Sequence, residues 1–212
     1  LSDSMSDDNR EQLRELLASI WSSIREEIST SRGLSVDELD RIADGLLART
    51  PERAVTTGLV DALIYRGEYD DLLARASGRG EDDPKIVTLQ DYIRATKNKR
   101  LHTGDSRIAI VYAQGEIFYG EGGPDYIGQV RMQEVFKKVR EDEDIKAVVL
   151  RINSPGGSAL TSEIIWREIM ETRKEKPVVV SLSDVAASGG YYMAVAGDRI
   201  VTEPTTITGS IG

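Results

Sequence analysis

Cysteine is absent from this sequence, which excludes disulfides, thiolate zinc sites and a cysteine nucleophile. That absence does not fix the compartment, since exported proteins can lack cysteine too. There is one histidine, His102, so no histidine or cysteine set has metal-ligand spacing. No apolar run approaches the ~18–20 residues that span a bilayer, and no secretory signal is visible. Basic residues are outnumbered, 27 against 36 acidic ones, for a formal net charge of −9. Nucleic-acid binding draws its affinity from a basic stripe, so no nucleic-acid partner is expected. What the 212 residues do hold is 40% hydrophobic and 30% charged side chains, enough for a real core under a well-solvated surface. The chain starts at Leu1 and stops at Gly212 inside what reads as a Gly-rich turn. It reads as a piece of something longer, so missing targeting segments mean little.

The first 80 or so residues read as helical. Leu13, Leu16, Leu17, Ile20, Trp21, Ile24 and Ile28 recur at the three-and-four spacing of a helix with one buried face. Ser35-Val-Asp-Glu38 is a capping box that opens a second helix carrying Leu39, Ile42, Leu46 and Leu47. Thr50-Pro51 supplies a cap and a first-turn proline, and Gly58 suits a helix stop. Leu59 to Ile64 reads as a short buried segment and Tyr69 to Ala76 as another helix. Ser77 to Pro84 and Lys97 to Asp105 read as exposed linkers. Beyond them the pattern alternates. Strands are expected at Ile108–Tyr112, Ala147–Ile152, Val178–Leu182 and Arg199–Thr202. Helices are expected at Ile127–Arg140, Ser158–Lys174 and Gly189–Val195. The near-unbroken apolar run of Ala147–Ile152 fits a strand covered on both faces. Alternation of this kind predicts an α/β fold with a parallel sheet and right-handed crossovers, preceded by the helical segment. Ligands of open α/β sheets bind where strands end and helices begin.

Two Gly-rich turns fall at that side: Asn153-Ser-Pro-Gly-Gly157 and Ala186-Ala-Ser-Gly-Gly190. Ser188 places a hydroxyl at a strand-to-helix turn among residues with almost no side chain, which suits a nucleophile. A plain helix N-cap with glycines for tight packing accounts for the same string. The N–H groups of Gly157 and Gly189 are the natural pair for an oxyanion hole, and a Pro-Gly turn accounts for the first of them equally. Neither turn matches a phosphate-cradling motif, and no cofactor is expected. A serine needs a base. His102 reads as an exposed linker residue, and Lys146, Lys174 and Lys176, at polar ends of elements, read as solvated surface charges. Tyr191-Tyr192 reads as packing beside the last helix rather than a ligand platform.

Three strings carry a resemblance: Ile152-Asn-Ser-Pro-Gly-Gly157, Asp184-Val-Ala-Ala-Ser-Gly-Gly-Tyr-Tyr192 and Thr208-Gly-Ser-Ile-Gly212. Together, in this order, they resemble the signal peptide peptidase A (protease IV) family of the Clp protease/crotonase-like fold group. The likeness is strong over 105–212 and looser over 1–84, which is similar to the connecting region of the family's long two-repeat form. Gly58-Leu-Val-Asp-Ala-Leu63 looks like the tail of a first repeat. The resemblance implies a Ser-Lys peptidase fold unit at 105–212, truncated at its C-terminus. Ser188 would be nucleophile, Gly157 and Gly189 the oxyanion hole, and Ser210 a serine that orients the lysine. The base lysine itself would lie outside this chain. It further implies signal peptides or other extended peptides as substrates and a homo-oligomer. Membrane anchoring would come through a segment outside this chain. The location would be the bacterial inner membrane facing the periplasm or cell exterior, or a plastid membrane. Two other readings stay open: a crotonase-like acyl-thioester enzyme, which needs the oxyanion hole but not Ser188, and a non-catalytic assembly module built on the helices of residues 5–48.

Overall fold

The computed structural model describes residues 5–78, 87–97 and 106–211. The chain divides into two compact units, Leu1–His102 and Thr103–Gly212. His102 and most of both expected linkers lie outside the described residues.

The first unit is helical, as the periodicity predicts. Helix α1 (Asp7–Arg32) is capped by the Ser6 hydroxyl, which accepts from the Asn9 N–H, and it ends at Gly33 in the left-handed conformation. In α2 (Val36–Asp44) Ser35 accepts from the Glu38 N–H, and Leu39 and Ile42 are buried. Asp40 ties the two helices together, accepting from Trp21 Nε1 at 2.7 Å and pairing with Arg25. Helix α3 (Pro51–Thr56) opens on the Thr50 cap, and Gly58 follows at φ +76°. Helix α4 (Arg66–Ala76) starts three residues before the expected Tyr69, because Glu68 reaches back to accept from the Tyr65 N–H. Helix α5 (Leu89–Lys97) is the last of the unit.

Two expectations fail here. Helix α1 buries none of its residues; Leu17 is 63% exposed, and Leu13, Leu16 and Ile24 are also exposed. Period 3.6 specifies an apolar stripe but not what covers it. The Leu59–Ile64 segment is not buried either, since Val60, Leu63 and Ile64 are all exposed. It is held from outside by Arg32, which donates to the Gly58 carbonyl at 3.0 Å and forks onto Asp61.

The second unit alternates strands and helices. Its elements are β1 (Arg107–Gln114), β2 (Glu116–Phe118), β3 (Tyr126–Gly128), α6 (Gln129–Glu141), β4 (Ile145–Ser154), α7 (Ala159–Arg173), β5 (Val178–Ala187), α8 (Gly189–Ala194), β6 (Arg199–Val201) and β7 (Ile207–Gly209). The main sheet runs β1-β4-β5-β6, with β7 also paired to β5, and every pairing is parallel. One face carries the core: Val148, Leu150 and Ile152 of β4 and Val178 and Val180 of β5 pack with Phe136, Ile165 and Ile169 of the helices. On the other face β4, expected to be covered on both sides, is half-buried at Ala147, Val149 and Arg151. Ile108, Ile110 and Tyr112 are exposed along β1, and Arg151 lies on the same face bonded to Ser181 and Ser183. An apolar run of strand residues does not by itself distinguish one covered face from two. Leu160 of α7 is 61% exposed. The short β2 and β3, which pair with each other, are additions that the sequence pattern did not indicate.

One irregularity positions the site. Leu182 pairs with Ile152, but the next pairing is Ala186 with Ser154, so β5 spends four residues where β4 spends two. Asn153 holds this bulge by accepting from the Val185 N–H at 3.2 Å. Bulges bend a strand and re-aim the residues beyond them; this one lies just ahead of Ser188.

Candidate active site

Ser188 stands between β5 and α8 at φ +50°, ψ −120°. L residues rarely adopt such a backbone, which is worth of order 1–3 kcal/mol of strain where it occurs. It is held by its neighbours: its N–H donates to the Gly209 carbonyl of β7 at 2.9 Å, and its carbonyl accepts from the Tyr192 N–H at 2.9 Å. Its hydroxyl caps nothing. The alternative account of Ser188 as an ordinary N-cap therefore fails, because a capping serine accepts from the backbone of the first turn.

The second Gly-rich turn comes up against it. A Cβ added to Gly156 would lie 2.7 Å from Ser188 Cβ and 2.8 Å from Gly189 N, so only glycine lets the two turns touch. The turn is braced from below by Ser154, fully buried, whose hydroxyl accepts from the Gly156 N–H at 3.1 Å. It is braced from the side by β2. Ile117 donates its N–H to the Gly156 carbonyl and accepts from the Ser158 N–H, both at 2.8 Å. That bridge skips Gly157, whose own N–H has no acceptor among the described residues, and Gly157 sits at φ +147°. Gly189 is the first residue of α8, where an N–H has no partner within the helix. A Cβ there would come 2.3 Å from Ser162 Oγ.

Gly157, Ser188, Gly189 and Ser210 all line one cavity of 630 Å³. The structure thus brings together the four positions singled out in the sequence. Ser210 enters as the residue after β7, exposed and at φ +51°. Leu160, Val195 and Ile211 make much of the remaining wall apolar. Tyr191 and Tyr192 line it too, against the expectation that they serve packing alone. Tyr192 donates its hydroxyl to Glu163, and that hydrogen bond, with burial and the carboxylate's charge, raises its pKa above the usual tyrosine range. Its ring lies 6.2 Å from that of Trp166.

Among the described residues no lysine or histidine lines the cavity. Lys146 donates to the Glu143 carbonyl and Lys174 to Glu171, both at the surface. Lys176 departs from the expected solvated charge: it is half-buried and clasped by the carbonyls of Val139 and Asp142. Sequence reasoning missed Glu163 and the supporting Ile117, which belong to a helix face and a strand with no motif of their own. Among the described residues no group of three or more His, Cys, Asp or Glu is arranged to hold a metal ion.

A family model described as peptidase family S49 matches residues 1–79 and 170–212. The chloroplastic serine protease SPPA of Arabidopsis thaliana is 37% identical, over 99% of this chain and 32% of that protein. Protease 4 of Haemophilus influenzae is 32% identical, over 100% of this chain and 36% of its own length. The chain therefore spans about a third of these relatives. Among solved structures, a membrane-bound stomatin-specific protease overlaps at 18% identity and a TM-score of 0.36, covering 46% of this chain and 44% of that one.

Proposed function

The chain belongs to peptidase family S49, and on that premise we propose that the protein it forms part of is a serine endopeptidase with Ser188 as nucleophile. The observation that carries the reading is the serine itself: a hydroxyl held at φ +50° with no capping bond, facing a cavity beside two turns that only glycine permits. A strained strand-to-helix turn of this kind exposes a nucleophile and leaves backbone N–H groups beside it.

In the proposed cycle Ser188 Oγ attacks the scissile carbonyl carbon while a neutral lysine, supplied from outside this chain, takes the hydroxyl proton. The N–H groups of Gly157 and Gly189 receive the developing oxyanion, each such donor contributing a few kcal/mol. Ser210, at the cavity wall, orients the lysine. The C–N bond then breaks, the lysine returns its proton to the leaving amine, and water releases the acyl group from Ser188. Signal peptides and other extended peptides are the proposed substrates. The apolar lining by Leu160, Val195 and Ile211 supports that class. The acyl-thioester alternative leaves the strained, uncapped Ser188 without a task.

We further propose a homo-oligomer, for which the exposed apolar stripe of α1 offers contact surface. The proposed location is the outer side of a bacterial inner membrane or a plastid membrane. Among the described residues no helix is long and apolar enough to cross a membrane; the anchor is proposed to lie in a segment outside this chain.

Ser188→Ala in the full-length protein tests the reading. Peptide hydrolysis and labelling by a serine-reactive probe should both vanish while circular dichroism is unchanged. Near-normal turnover by pure Ser188→Ala protein would remove Ser188 from the mechanism.

A further inference from the structure

Helix α7 carries three carboxylates that make very different contacts. Glu168 pairs with Arg140 at 2.8 Å. Glu171 pairs with Arg167 and Lys174. Both are neutralised within the chain. Glu163 is the exception: it faces the cavity that holds Ser188, and among the described residues no lysine, arginine or histidine lines that cavity. The partner it has is a neutral one, the Tyr192 hydroxyl on Oε2. Its other oxygen, Oε1, accepts no hydrogen bond among the described residues.

Glu163 is exposed, and its Tyr192 partner holds the carboxylate at the cavity wall. Tyr192 is itself steadied by its ring contact with Trp166 and by its backbone N–H, which donates to the Ser188 carbonyl. Glu163 directly follows Ser162, whose hydroxyl bonds the Ser158 carbonyl at 2.9 Å and packs against Gly189. The carboxylate thus follows directly on a serine packed against Gly189, one of the two proposed oxyanion donors. The rest of the wall offers Leu160, Val195 and Ile211, apolar surface suited to an aliphatic stem. Long basic side chains lay such a stem along apolar surface and keep the charged head at a polar site.

We propose that Glu163 is a specificity-determining residue, and that this cavity selects peptides placing an arginine or lysine side chain beside the scissile bond. The stem lies on Leu160, Val195 and Ile211 and the cationic head meets the free Glu163 oxygen. This rests on the reading of Ser188 as the site of peptide cleavage and names the substrate class of that site. An apolar stretch bordered by basic residues is a pattern found at one end of signal peptides, so the selection is compatible with the proposed substrates.

The test uses full-length protein in a Ser188→Ala background, so that binding is read without turnover. Fluorescent peptides carrying arginine, or its neutral isostere citrulline, at each of the positions flanking the scissile bond are titrated by anisotropy. At one position arginine should bind about tenfold more tightly than citrulline, the range of a hydrogen bond to a charged group. Glu163→Gln should bring that ratio close to one. Tyr192→Phe, which frees the second oxygen, should keep or raise it. A ratio near one at every position of the parent protein overturns the proposal, as does a ratio that survives Glu163→Gln. Loss of the ratio in Tyr192→Phe would show that wall packing and not charge sets it, and would overturn the proposal too. Cleavage that persists after Ser188→Ala would instead sink the peptidase assignment of Ser188 and leave the binding ratio standing on its own.

Discussion

Replacing Ser188 by glycine should make the protein more stable, and replacing it by alanine should not. The backbone at φ +50°, ψ −120° is unfavourable for any residue with a Cβ, by about 1–3 kcal/mol. Glycine removes that term. Against it stands the extra freedom glycine gives the unfolded chain, roughly 0.5–1 kcal/mol, so the net gain is about 1 kcal/mol. Alanine keeps the Cβ and hence the strain. It loses only a hydroxyl that caps nothing, where a true capping serine would cost about 1 kcal/mol on the same change. For a chain of this size 1 kcal/mol moves the melting temperature by about 3 °C. The chain has two tryptophans, so a Trp21→Phe background leaves Trp166, next to Tyr192, as the reporter. Thermal melts of Ser188, Ser188→Ala and Ser188→Gly forms in that background give the comparison. If the glycine form is no more stable than the alanine form, the strain argument is wrong. A positive result would mean that a less stable backbone is kept at the one position where the proposed chemistry needs a serine.

Gly157→Ala should destabilise by about 3 kcal/mol, since its Cβ would meet the Ile117 backbone at 2.2 Å, where nothing flexible can yield; urea titration would measure this, and an unchanged midpoint would contradict the geometry. The 212-residue chain alone should hydrolyse peptides barely above background, because among the described residues no lysine or histidine lines the cavity and oxyanion donors alone give weak residual catalysis. Robust hydrolysis by the isolated chain, lost when one of its own lysines is removed, would show the base to be misplaced. Asp61 titrates below the usual carboxylate range because Arg32 donates to it and attracts its charge. A lowered carboxylate favours the fold at neutral pH and loses that contribution as pH falls through its folded pKa. Arg32→Ala should therefore raise the Asp61 pKa in an NMR titration and flatten the acid limb of stability, and an unmoved resonance would discount the pair.

The elements that announce themselves in the sequence do so through local chemistry. Ser35, Thr50 and Gly58 mark helix ends through backbone bonds made within a few residues, and the alternation of strands with helices fixes a parallel sheet. Both Gly-rich turns, and Ser210 after β7, were legible as strings. Their meeting at one cavity was implied only by topology. What stayed hidden depends on partners distant in sequence. The burial of Ile117 in β2 follows from its bridge to Gly157, forty residues on. Glu163 reads as one more helix acid until Tyr192 and the cavity wall stand beside it. The exposed stripe of α1 and the open face of β1 are the converse: hydrophobic periodicity predicted the right elements and said nothing of which faces would be covered.

β5 exchanges neighbours along a single edge. Residues 179–181 lie against β6 and residues 185–187 against β7. The N–H of Ser188 therefore depends for its protection on Gly209, at the end of a three-residue strand. Short edge strands open at a small fraction of the free energy needed to unravel a core. The amide of Ser188 should exchange with solvent through detachment of β7, far sooner than the amides of Val148 or Val180 in the buried centre of the sheet. Ser210 and Ile211 leave the cavity wall in the same event. The site can thus be taken apart and reassembled while the sheet beneath it stays intact, and occupancy of the cavity, by gripping Ile211, would slow that cycle.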